Sequence, residues 1–156
     1  MATISHPHSN SHLSLGITNT KLKLWFVPLG RALFSLIFIM SGINHFSAGT
    51  IEYGASNGVP LASLLVPLSG LLAIVGGLSI FLGYFARFGA LLLLLFLVSV
   101  TLAMHNFWTV TDPMMHQMQM IQFMKNLSLI GGALLILFYG AGPNSMDLKR
   151  PGRGTK

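Results

Sequence analysis

Three side chains in this sequence sit inside apolar stretches where an ionisable group is out of place: His45, His105 and Lys125. An imidazole can donate or accept a hydrogen bond, and an ammonium group only donates and carries a positive charge. Together with Asn106, which follows His105, they make a hypothetical binding set. The two histidines would hydrogen-bond an oxygen of a small ligand, and Lys125 would stabilise a reduced, anionic form of it. Ionisable groups at membrane depth are costly unless they pair or face a wet cavity, so they mark candidate sites. The structural alternative is that the same groups reach the headgroups on long stems and anchor the helices.

Other chemistry is thinner. Met114, Met115, His116, Met118, Met120 and Met124 form a Met-rich run. Soft thioethers suit Cu(I), but methionine is also a pliable apolar filler, and no metal site is assigned. His6, His8 and His12 lie in a polar tail and offer weak chelation at most. Glu52 reads as a loop residue. There is no cysteine, which removes thiol redox pairs, thiolate-held clusters and a Cys nucleophile, so redox chemistry would need a borrowed cofactor. Glu52, Asp112 and Asp147 are the three acidic residues. No catalytic triad, carboxylate pair or phosphate loop is apparent.

The elements that must carry these groups follow from composition. Mean hydropathy is +0.71 and charged residues make up 8% of 156, against roughly 25% in a soluble domain. That leaves too much apolar surface for a small core to hide, so the surface must face lipid. The net charge of +6 is carried at the ends of apolar runs and not on one face of a polar domain, which argues against nucleic acid. A spanning helix needs about 20 apolar residues. Four such runs are present, about Val27 to Phe46, Leu61 to Tyr84, Gly89 to Trp108 and Ile121 to Tyr139. The expected fold class is an all-α membrane protein, a four-transmembrane-helix bundle. Residues 1–25 are expected to form a disordered cytoplasmic tail with no secretory signal, 26–143 the membrane domain and 144–156 a basic cytoplasmic tail.

Details of the runs refine this outline. Pro28 suits a first helical turn and Pro67 should kink the second span. Ser47 to Pro60 reads as a loop, and Met114 to Gln122 as an interfacial helix leading into the fourth span. At ~1.5 Å per residue His105 lies about 27 Å from Arg87, His45 about 21 Å beyond Arg31, and Lys125 about 21 Å before Tyr139. All three land near one boundary of the hydrocarbon, with Asn44, Asn106, Trp108 and Asn126. Basic residues gather at the other boundary (Lys21, Lys23, Arg31, Arg87 and the C-terminal tail), which places both termini in the cytoplasm. Arg31 either snorkels or pairs across the bundle with Asp147. Gly76-Gly77 and Gly131-Gly132, each followed by a Tyr at the same spacing, suggest two parallel helical-hairpin repeats. Chance in low-complexity apolar sequence produces similar patterns. The glycines in any case let helix backbones approach.

The ordered motifs Gly30-Arg31, Ser41-Gly42-Ile43-Asn44-His45-Phe46, Gly58-Val59-Pro60, Gly76-Gly77 with Gly83 and Arg87, His105-Asn106-Phe107-Trp108, Phe123-Met124-Lys125-Asn126-Leu127, Gly140-Ala141-Gly142-Pro143 and Ser145-Met146-Asp147 make the chain similar to the DoxX family. The resemblance covers about Pro28 to Asp147. It implies a bacterial inner-membrane protein linked to quinone-coupled oxidation and to redox assemblies, with no agreed catalytic residues to carry over. The expected function is therefore a quinone-linked, redox-associated membrane subunit, with the bilayer, other membrane or redox proteins, or a second copy as partners, and no nucleic acid. The alternatives are a non-enzymatic scaffold that presents its glycine faces to a partner, and a small-solute or metal transporter.

Overall fold

The computed structural model describes residues 11–149, with side chains from Leu24 onward. All regular structure among the described residues is helical: α1 (Ser11–Asn44), α2 (Ala48–Ser56), α3 (Ala62–Leu82), α4 (Ala86–Met104) and α5 (Pro113–Tyr139), with short 3-10 turns at Phe107–Thr109 and Asp147–Lys149. Four segments are long and apolar enough to cross a bilayer: Leu24–Asn44, Ala62–Leu82, Ala86–Thr109 and Pro113–Tyr139. The expected four-helix membrane bundle is the observed one. Its outer surface carries large apolar side chains such as Leu33, Leu64, Leu91, Leu135 and Phe138, which only a lipid surround accommodates at that density.

Several boundaries depart from expectation. The expected loop at 47–60 contains α2, because Ser47 accepts a hydrogen bond from the Thr50 amide at 3.3 Å and caps the helix. A Cβ on Gly54 would come 2.7 Å from Val66, so α2 lies directly on α3. The interfacial helix and the fourth span are one continuous helix, started by Asp112, whose carboxylate accepts from the Met115 amide at 2.8 Å. Its 27 residues reach ~40 Å, more than the ~30 Å of a hydrocarbon core, so one end projects beyond it. Helix α1 begins at Ser11, within the stretch expected as a tail, and Pro28 lies inside it instead of at its first turn. Proline has no N–H to bond the carbonyl four residues back. That carbonyl, Leu24 O, accepts instead from Asn144 Nδ2 at 3.3 Å. Residues 1–10 and 150–156, with His6 and His8, lie outside the described residues, as does the His12 side chain.

The helices approach through glycine. A Cβ on Gly70 would come 2.7 Å from the Gly42 carbonyl oxygen, which joins α3 to α1. One on Gly76 would come 2.9 Å from the Gly89 carbonyl, which joins α3 to α4. Gly132 meets Phe34 of α1, while Gly131 faces open space. The two glycine pairs of the suggested repeat therefore do different work. The core between helices is built on Phe38, Ala73, Ile80, Ala90, Leu93, Phe96 and Leu97. Phe38 sits edge-on to Phe96 with ring centres 6.3 Å apart.

The two ends of the bundle are built differently. At the end holding the α3–α4 turn, Asp147 returns from the C-terminal segment to cap α4. Its two carboxylate oxygens accept from the amides of Phe85 (2.9 Å) and Ala86 (3.0 Å). Arg31 is buried and donates to the carbonyls of Ala141 (2.7 Å) and Asn144 (2.9 Å). It does not snorkel to an interface. Its guanidinium lies within electrostatic reach of Asp147. Residues 144–149 thus belong to the bundle, at the point where the basic tail was expected to begin.

Candidate functional site

At the opposite end the helices diverge around a cavity of about 700 Å³. That lies within the range of small-molecule pockets, about 300–1,000 Å³. Its wall takes Ser41 from α1, His45 from the turn that follows it, Tyr53 from α2, His105 from the end of α4, and Lys125 and Asn126 from α5. Its floor is apolar and reaches Ile37, Leu72, Leu95 and Leu129. Ile37 is eight residues before His45 and Leu95 ten before His105, so the cavity runs about 12–15 Å along the helices from a polar mouth toward mid-span. This is the shape of an amphipathic ligand, with a polar head and an apolar tail.

The local sequence sets each polar group. His45 Nδ1 lies 2.7 Å from the Ser41 carbonyl oxygen one turn earlier, and its ring packs edge-on against Phe96 at 5.6 Å. His105 Nδ1 lies 2.8 Å from Gln119 Oε1, and Gln119 Nε2 reaches the Tyr53 hydroxyl at 3.4 Å. That chain ties the end of α4, α5 and α2 together across the mouth. Lys125 is exposed at the rim, and its ammonium donates to Gln122 Oε1. Asn126 is only 5% exposed. It lines the cavity, onto which its carboxamide opens without a hydrogen bond to another described residue.

Three of the four residues read from the sequence, His45, His105 and Lys125, share this cavity. Asn106 does not line it. It lies in the turn after α4, where its carbonyl accepts from the Thr109 hydroxyl at 2.9 Å. The side chain turned inward is Asn126. Residues seven apart on a helix share a face, and Gln119, Asn126 and Ala133 repeat at that interval, with Ala133 fully buried. That spacing marks the inner face of α5, and it puts Asn126 inside while its neighbour Lys125 sits exposed at the rim. Tyr53 carries no such signal by itself, because it reaches the site through the packing of α2.

The remaining candidates stay outside. Glu52 is exposed on α2 and does not line the cavity. Met114, Met118 and Met124 lie on the outer face of α5, all more than half exposed. His116 packs edge-on to Phe107 at 5.5 Å. Among the described residues no group of three or more His, Cys, Asp or Glu is arranged to hold a metal. Trp108 is exposed and stacks edge-on against Phe107 and Phe123, as an interfacial anchor does.

Comparison with known proteins fits this architecture. Residues 61–151, more than half of the chain, match the SURF4 family. The chain is 31% identical over 121 residues to the inner membrane protein YphA of Escherichia coli (strain K12), covering 76% of this chain and 86% of that one. No solved structure matches significantly. With four helices built to span a bilayer and a family match across three of them, this chain is a membrane protein that belongs to the SURF4 family.

Proposed function

We propose that the protein is a DoxX-like, redox-associated subunit of the bacterial inner membrane that holds a quinone in the cavity at the end of the bundle away from its termini. The observation that carries this reading is the union of His45, His105, Lys125 and Asn126, whose carboxamide opens onto the cavity, around one apolar-floored pocket. A ligand oxygen is a natural partner for the Asn126 carboxamide. The residues fit a quinone. Asn126 and Lys125 would donate to head oxygens, His45 and His105 would flank the head, and Leu72, Leu95 and Leu129 would line the tail. A bound quinone would supply two-electron acceptor chemistry. The chain's own residues bind and orient the head and keep its tail away from water. The electrons would come from a partner redox protein docked at the same membrane face.

In this reading both termini are cytoplasmic. Among the described residues Lys21, Lys23, Arg31, Arg87 and Lys149 fall toward the end where α1 starts, and Lys125 is the exception, which is the asymmetry that orients a chain in the inner membrane. The similarity to a protein named as an inner membrane protein supports the location.

The test is direct. Protein purified in mild detergent is extracted and its quinone content measured, for wild type and for His45→Ala with His105→Ala. Substoichiometric, unchanged quinone in both would end this reading. The scaffold reading makes the opposite forecast: function insensitive to His45 and His105 but lost on a bulky residue at Gly131, the one glycine of the two pairs whose face is open.

A further inference from the structure

The hydrogen bond made by His45 has a consequence for which ligand the cavity takes. The Ser41 carbonyl oxygen can only accept, so at 2.7 Å the proton must be on His45 Nδ1. In the neutral ring that leaves Nε2 as a bare acceptor. The main-chain carbonyl sets the tautomer for as long as that bond is kept. His105 differs. Its Nδ1 partner is Gln119, whose amide can turn over, and the next group is the Tyr53 hydroxyl, which donates or accepts. Either tautomer of His105 satisfies that chain. The site therefore offers one committed acceptor, His45, beside groups that can donate, Asn126 and Lys125.

A hydroxyl both donates and accepts, whereas a carbonyl oxygen only accepts. A hydroxyl head can give its proton to His45 Nε2 and accept from Asn126 or Lys125. A carbonyl head serves the donors but sets its lone pairs against that of His45, and gives that nitrogen no partner. We propose that the cavity selects the hydroxylated, reduced head over the carbonyl head: it is a site for a hydroquinone carrying an apolar tail, with His45 as the residue that discriminates. This rests on the quinone reading above and adds to it which of the two forms the resting protein prefers.

The experiment measures two affinities. Full-length protein in phosphatidylcholine nanodiscs is titrated without oxygen with decylubiquinol and, separately, with decylubiquinone. The expected result is a Kd at least tenfold lower for the quinol. His45→Gln, whose amide can present either a donor or an acceptor, should bring the ratio near one while both forms still bind. Equal affinities in wild type, tighter binding of the quinone, or an unchanged ratio in a folded H45Q protein would each overturn the proposal and leave a quinone site standing. Binding of neither form would remove the quinone reading, and this inference with it. The wild-type ratio alone decides the matter should the variant fail to fold.

Discussion

The two ends of the bundle spend their polar groups in opposite ways. At the end near the α3–α4 turn, polar groups are tied to partners far along the chain, although Arg31 Nε and Ser145 Oγ stay buried without one. Arg31 meets two carbonyls 110 and 113 residues away, Asp147 caps a helix that begins 61 residues earlier, and Asn144 takes the carbonyl that Pro28 leaves free. At the other end the Asn126 carboxamide opens onto the cavity and His45 keeps one ring nitrogen for something else. Polar groups tied across the chain hold the helices in one arrangement, and those that open onto a cavity are free to meet a ligand. The contrast separates the part of the molecule that holds the helices together from the part that can bind.

Substitutions can break this contrast or sharpen it. The largest expected effect is Asp147→Ala. It strips two charge-assisted hydrogen bonds from the first turn of α4, each worth about 1.5–3 kcal/mol, so a loss of about 3–5 kcal/mol is expected. Unfolding in a detergent series would read this, and an undiminished midpoint would refute the view of this end as the structural clamp. Next is Gly83→Ala. Gly83 has φ +64, and a Cβ there would come 2.5 Å from Arg31 Nη1 and 2.6 Å from Ser145 Cβ. Overpacking and strain together predict a loss of about 2–3 kcal/mol by the same assay.

At the open end binding suffers more than stability. Asn126→Leu should weaken ligand binding at least tenfold with little change in stability, because its carboxamide opens onto the cavity instead of bonding another helix. A destabilised variant with intact binding would contradict the assignment of Asn126 to the site. His45→Ala should lower ligand affinity with a smaller loss of thermal stability than Asp147→Ala, and the reverse order would mean that His45 is structural. The smallest effect belongs to Gly131→Ala. Nothing lies within 4 Å of the added methyl, so helix propensity alone predicts a gain of up to about 1 kcal/mol.

Much of this was legible before folding. Four apolar runs and their loops determine the helix count, because no other element satisfies backbone groups in lipid. Counting residues along the helices placed His45, His105 and Lys125 at one depth, and the cavity holds all three. Depth is one coordinate, however, and it says nothing of which way a side chain faces. Asn106 and Asn126 stand at the same level, and only Asn126 turns inward. The helix α2 was hidden because its Gly- and Ser-rich composition resembles a loop, and its fold depends on the Ser47 cap and on contact with Val66.

Arg31 shows the limit most clearly. Its sequence neighbourhood suits snorkelling as well as burial, and its partners lie more than a hundred residues away. By itself the sequence determined that this chain lives in a bilayer, with four spans and a polar level near one end, because hydropathy and helix rise are local properties. Only the tertiary structure decided which polar groups are paired, which face the cavity and which nitrogen of His45 is left for a ligand, because those depend on how helices far apart in sequence rotate against one another.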